Sequence, residues 1–337
     1  MKKLIFLLSL ACATGFCQGY KISKRINTTG NEGWDYLAVD DINQHLFVSH
    51  GTMVNVIDLK TDKTIASIPD TNGVHGIAVA NDLNKAFISD GRDNAVTIVN
   101  LKTFELIDKI KIEGQKPDAI LYDQFSHYVF TYNAKSSDAT VIDPNTNKVV
   151  KTIPLGGKPE FSVTNTKGLI YVNIEDANQI KTIDTKTLAV INTWSIAPGD
   201  EPSGLAIDLK NNILFSVCGN KMMVIVDATN GKIIQTLPIG DGCDGVAFDA
   251  KKKMIFSSNG EGTITAVKEE SNKKFSVVQT ISTQKGARTI TVNPTTSQLY
   301  LSTAEFGPKP EPSTENPKPR PSLVPGSFTI LVVENMP

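Results

Sequence analysis

The sequence predicts an all-β fold: a seven-bladed β-propeller of four-stranded blades, closed by the N-terminal strand Tyr20–Ile26 joining the last blade. Three observations predict it. Apolar triplets that open equivalent units begin at Trp34, Val74, Pro117, Pro159, Pro202, Cys243 and Ala287, at spacings of 40, 43, 42, 43, 41 and 44 residues. A fixed period of this size is the signature of a propeller blade. Each unit also holds short runs rich in β-branched and aromatic residues, as in GIAVA, KAFIS, AVTIVNL and ELIDKI between Gly73 and Ile110. Finally, the fourth run occurs only six times after the first unit begins, and the seventh copy, YKISKRI, lies at the start of the chain. Such an exchange buries what would otherwise be open sheet edges.

In chain order, Met1–Cys17 reads as a secretory signal, with Lys2 and Lys3 before the apolar run Leu4–Ala11 and small residues after it. The run is too short to span a bilayer. A lipoprotein reading through Cys12 is the weaker one, because Ser9 and Leu10 make an imperfect lipobox. The expected location is therefore the bacterial periplasm or the exterior, with residues 18–337 as a single propeller domain. The second runs, HLFVS through QLYLS, and the third runs, VNVIDL through FTILVV, are of strand length in every unit. Between third and fourth runs lies a turn of the kind Asp58–Lys63, Asp143–Lys148 and Asp227–Lys232. It lacks the tryptophan that a quinoprotein docking motif needs, so the Asp and Thr side chains are assigned to the turn itself. The last unit departs from the period at 303–327, an insertion with seven prolines that must run extended. It is expected to wall the channel mouth, anchored by Phe306 and Leu323-Val324.

Ile170-Tyr171-Val172-Asn173 and the turn Asp184-Thr-Lys-Thr187 resemble the YVTN repeat, and the surrounding units resemble YVTN-repeat, YncE-like propellers of bacterial exported proteins. The resemblance covers the chain after the leader and implies the propeller fold. It implies surface or periplasmic binding in some members, while related propellers include lactonases and lyases. Fold does not settle function.

The loop entering each innermost strand surrounds one mouth of the channel, so seven aligned residues should form a ring: Asp35, His75, Asp118, Glu160, Ser203, Asp244 and Arg288. Loops between second and third strands add His50, Asp90, Arg92, Asn173, Glu175 and Glu305 to the same face. Carboxylates and amides suit calcium, and histidine with carboxylates suits zinc, so Asp35, His50, His75 and Asp118 are the candidate metal ligands. The competing explanation is that these polar groups satisfy backbone at the blade junctions. Cys218 and Cys243 project from neighbouring blades and, in an oxidising compartment, invite a disulfide.

The primary expectation is a monomeric binding module, taking a small polar ligand or a protein partner at a carboxylate-rich mouth through Asp35, His50, His75, Asp90, Asp118, Glu160, Asp244, Arg288 and Glu305. The alternative is a metal-assisted hydrolase or lyase of lactone- or sugar-type substrates, with His75, Asp118, Glu160 and Arg288 as candidate catalytic residues. Nucleic acid is disfavoured by the formal net charge of −1 and the acidic ring. No serine-nucleophile elbow, phosphate loop or dinucleotide fingerprint occurs.

Overall fold

A computed structural model describes residues 19–30, 32–270, 273–314, 317 and 319–336. The leader and Cys12 lie outside the described residues. The strands form seven four-stranded sheets, each antiparallel, arranged as the blades of a propeller. Blade one runs Trp34–Asp40, His45–His50, Met53–Asp58 and Lys63–Ile68 from the channel outward, and the next five repeat this order. Two short 3-10 turns, Asn81–Leu83 and Glu175–Ala177, interrupt the strands, and among the described residues no helix is long and apolar enough to cross a membrane.

Blade seven is closed as the sequence predicts. Its outermost strand is Gly19–Asn27, paired antiparallel with Thr329–Met336 from Gly19 opposite Met336 to Asn27 opposite Thr329. Tyr20 and Ile26 of that strand are buried, joining the clusters on either side of blade seven. Burying one such side chain contributes on the order of 1.5–3 kcal/mol. The innermost strand of this blade is shorter than the repeat implies: only Thr291–Val292 pairs regularly, opposite Leu299 and Tyr300.

The core consists of seven buried clusters, one at every junction between neighbouring blades. At the third junction, Phe130, Tyr132 and Val141 pack on Ile170, Val172 and Ile183. A blade has no core of its own, so each needs its two neighbours, and an unclosed ring would leave two half-cores exposed to water. The outer turns behave as read from sequence: Asp58 Oδ1 accepts the amides of Lys60 (2.7 Å) and Thr61 (3.0 Å), and Asp184 Oδ1 those of Lys186 (2.9 Å) and Thr187 (2.7 Å).

Candidate functional site

The innermost strands carry a repeated irregularity at the channel mouth. In six blades their pairing with the second strand slips at the ring residue, as between Trp34 and Leu37, Val74 and Ile77, and Cys243 and Gly245. A bulge bends the strand and re-aims its side chain. The ring backbone is held by other residues: Ser89 Oγ donates to the Asp118 carbonyl, Asn173 Nδ2 to that of Ser203 (2.9 Å), Ser258 Oγ to that of Arg288 (2.5 Å) and Thr289 Oγ1 to that of Asp35 (2.7 Å). Junction backbone is thus satisfied mainly by these residues, and the ring side chains are released to bond one another.

They do so in ring order. Ser203 Oγ donates to Asp244 Oδ1 (2.6 Å), and Arg288 Nε donates to Asp244 Oδ2 (2.6 Å). The far nitrogen of Arg288 lies 3.4 Å from Asp35 Oδ1, whose other oxygen meets His75 Nδ1 at 2.6 Å. His75 Nδ1 is also 3.5 Å from Asp118 Oδ1. Glu160 stands beyond Asp118 and takes Lys158 Nζ at 2.7 Å; that lysine also binds Glu175. The structure therefore joins six of the seven aligned residues by side-chain contacts. Candidate ligand atoms of Asp35, His75 and Asp118 all lie within 4.8 Å of one another.

Burial and crowding of like charge perturb this ring. Burial, aided by Asp35 and opposed by His75, pushes the Asp118 carboxyl up to about 6. Burial and the charge of Asp118 push Glu160 up to about 8, against the pull of Lys158. Burial alone would lower the His75 value, but its hydrogen bond to Asp35 and the charges of Asp118 and Asp35 raise it. Arg288 is likewise opposed by burial and held above its ordinary value by Asp244 and Asp35.

Above the ring opens a cavity of about 480 Å³, with Asp35, His75, Arg92, Lys116, Arg288 and Arg320 in its lining. A contiguous chamber of about 420 Å³ shares Gly33, Trp34, Arg288 and Arg320 and is completed by Phe306, Pro321 and Leu323 of the proline-rich insertion. Phe306 and Leu323 form a bridge, and the Phe306 ring lies 6.1 Å from that of Trp34. Gly286, at φ +87, makes room for this packing, because a Cβ there would sit 2.7 Å from Phe306 and 3.3 Å from Trp34. The insertion is a wall of the mouth.

Several candidates lie elsewhere. His50 is 2 % exposed, its ring packs edge-on against Phe328 at 4.1 Å, and burial lowers its proton affinity. It does not join the cluster of Asp35, His75 and Asp118. Asp90 is fully buried, bound to Thr97 Oγ1 (2.6 Å) and Lys109 Nζ (3.2 Å), and burial pushes it up to about 6. Glu305 is exposed at the foot of the wall, outside the lining of either chamber. The expected disulfide is absent: Cys218 and Cys243 are buried free thiols, and Cys243 Sγ donates instead to the Cys218 carbonyl at 3.0 Å. That contact points the Cys243 sulfur at backbone.

Sequence reasoning missed four residues. Lys116 and Lys158 each stand two positions before a ring carboxylate, in Lys116-Pro117-Asp118 and Lys158-Pro159-Glu160, a repeated signal for charge neutralisation. Tyr36 and Phe161 follow ring residues where other blades carry Gly, Ala or Thr. Their rings meet at 5.3 Å, and burial with the charges of Asp118, Asp35, Glu160 and Asp244 holds the Tyr36 phenol far above its ordinary value.

No family model matches the chain. It is 23% identical over 221 residues to Antigen Lp49 of Leptospira interrogans, a match covering 61% of this chain and 48% of that protein. It is 31% identical over 134 residues to the uncharacterized protein YwhL of Bacillus subtilis, covering 40% of this chain and 28% of that one. The chain thus spans about half or less of the curated relatives it matches. Among solved structures it superimposes on Kuenenia stuttgartiensis hydrazine synthase with TM-score 0.72 at 16% identity, covering 84% of this chain and 96% of that one. It superimposes on the RRP9 WD40 repeats with TM-score 0.78 at 8% identity, covering 94% and 100%. These likenesses establish the seven-bladed propeller fold.

Proposed function

We propose that this propeller is a binding module of the bacterial periplasm or cell exterior, related to the YVTN-repeat, YncE-like proteins, that holds a small polar ligand at the channel mouth. One observation carries the reading: the cavity of about 480 Å³ is lined by three linked members of the ring, Asp35, His75 and Arg288, which are fixed in turn by Asp118 and Asp244. Side chains that fix one another need little reordering when a ligand arrives, which lowers the entropic cost of binding. The cavity also lies within the volume range of small-molecule sites.

Gly33 supplies the test. It lines both chambers, and nothing lies within 4 Å of where its Cβ would be, so Gly33→Trp should plug the mouth without disturbing the fold. Wild type and variant are dialysed against a small-molecule extract of a bacterial culture, and retained compounds are identified by mass spectrometry. A compound kept by wild type and lost from the variant supports the reading. Identical retained sets overturn it.

The Asp35–His75–Asp118 cluster favours a second reading, a divalent ion such as calcium or zinc in the same floor. Such an ion would polarise a carbonyl or activate water, the chemistry a lactone hydrolase or a lyase needs. His75 Nδ1 would have to exchange its bond to Asp35 for the ion. Metal analysis of protein purified without chelator decides: a stoichiometric ion lost from His75→Ala and Asp118→Ala supports this reading, and no ion under metal-replete conditions removes it.

A further inference from the structure

The mouth is not the acidic surface that its ring residues suggest. Every ring carboxylate has a basic partner, several of them shared: Arg288 serves Asp244 and Asp35, His75 serves Asp35 and Asp118, and Lys158 meets Glu160. Around the cavity above them the balance reverses. Arg92, Lys116, Arg288 and Arg320 line it against Glu32 and Asp35. Arg92 and Arg320 are exposed, and no ion pair or side-chain hydrogen bond engages either guanidinium among the described residues. Lys116 has only a distant contact, 3.9 Å to Asp118. Three cations therefore rim the mouth with little or nothing to hold.

The adjoining chamber is chemically different. Trp34, Phe306, Pro321 and Leu323 give it apolar walls, and it opens to the rim at Arg288 and Arg320, which both chambers share. The insertion that builds the apolar wall also delivers Arg320. A cationic rim continuous with an apolar slot is complementary to a molecule with one charged end and one greasy end.

We propose that the mouth takes an amphipathic organic anion: a carboxylate or phosphate group held by Arg92, Lys116 and Arg320, with an aromatic or branched aliphatic body against Trp34, Phe306 and Leu323. The proposal rests on the binding reading above and narrows it to a ligand class. Arginine forks pair bidentately with carboxylate and phosphate alike, so the shared requirement is the anion. The slot adds selectivity against small inorganic anions, which leave its apolar wall in water.

Purified protein is titrated with 3-phenylpropionate, phenyl phosphate, succinate, inorganic phosphate and phenethylamine, with affinity read by calorimetry and the near-ultraviolet signal of Trp34. Saturable binding of 3-phenylpropionate or phenyl phosphate, at least about tenfold tighter than succinate, phosphate and phenethylamine, is expected. Which of the two binds tighter separates a carboxylate from a phosphate site. The double variant Arg92→Gln, Arg320→Gln should weaken binding about tenfold or more, and added salt should weaken wild-type binding, since these charges are solvated. Phe306→Ala should weaken 3-phenylpropionate but leave succinate unchanged. The proposal is overturned if phenethylamine binds as well as the anions, if the arginine variants bind as wild type does, or if neither amphipathic anion saturates by about 10 mM, where even a millimolar site would fill. A neutral or cationic compound retained through Gly33 in the dialysis would overturn this ligand class and leave the binding module standing.

Discussion

Replacing Glu160 with glutamine is predicted to flatten the fall of stability with rising pH. In the folded ring, burial and Asp118 push this carboxyl up to about 8 from an ordinary 4.5, while Lys158 at 2.7 Å pulls the other way and Glu175 repels it. A folded value above the unfolded one means the native state keeps a proton that the unfolded chain releases. Stability from this group is therefore complete below about pH 4.5 and is lost as pH rises toward about 8. Integrated from about pH 5 to 8, one such group can remove up to about 3 kcal/mol. Asp118 and Asp90, both raised to about 6, and His75, also raised, slope the same way in both proteins. The informative quantity is hence the difference between the two stability curves, measured as urea midpoints across that range. Glu160→Gln should lose less stability than wild type on the alkaline side. Parallel curves would mean that the Lys158 ion pair outweighs burial and that Glu160 is ionised at neutral pH.

Three further outcomes follow from the packing and the mouth. Gly245→Ala would place its Cβ 2.9 Å from Ile290 N and 3.1 Å from Thr289 Cα, backbone that cannot swing aside, so a loss of about 1–3 kcal/mol is expected. Gly33→Ala, facing open space, should stay within about 0.5 kcal/mol, and equal losses at both sites would refute the contact argument. In protein beginning at Gly19, a thiol reagent should label neither cysteine natively and both after unfolding, because Cys218 and Cys243 are buried thiols pushed up to about 12; an intact mass short by two hydrogens would show a disulfide instead. Deleting Pro308–Pro321 should weaken binding of whatever ligand the mouth retains while leaving the circular-dichroism spectrum unchanged, and unaltered affinity would remove the wall from the site.

The architecture was legible because a propeller repeats its solution. Strand-length runs recur at one period, and the missing fourth run pointed to Tyr20–Ile26 as the closing strand that pairs with Thr329–Met336. The ring was legible for the same reason, since aligned positions in equivalent blades must lie at equivalent heights. What the alignment could not convey was direction and pairing. His50 and Asp90 both end second strands, yet one packs under Phe328 and the other meets Lys109 in the interior, because the last residue of a strand can face either the loop or the core. Charge balance was misjudged for a related reason. Lys116 and Lys158 lie outside the aligned position, and Arg320 comes from a segment with no counterpart in other blades, so counting ring carboxylates alone gave an acidic mouth.

The position after the ring decides how far the mouth extends into the molecule. At Gly76, Gly204 and Gly245 a Cβ would come within 2.9–3.0 Å of the next blade's inner strand, so the strands close together there only because side chains are missing. Tyr36 and Phe161 occupy the same position in blades one and four. Their bulk has no space between inner strands and meets across the channel at 5.3 Å, directly under the charges of Asp118, Asp35, Glu160 and Asp244 that act on the phenol. Beyond this pair the lining changes character: Leu37, Ile77, Leu121 and Val163 face one cavity of about 460 Å³, and Leu205, Val246 and Ile290 face another of about 260 Å³. Polar mouth and apolar lower channel are therefore separate chambers divided by two aromatic rings. A molecule bound as proposed at the mouth would meet the ring, the cationic rim and the insertion wall, and a Tyr36→Ala change that joined the chambers would place the ring carboxylates over apolar space.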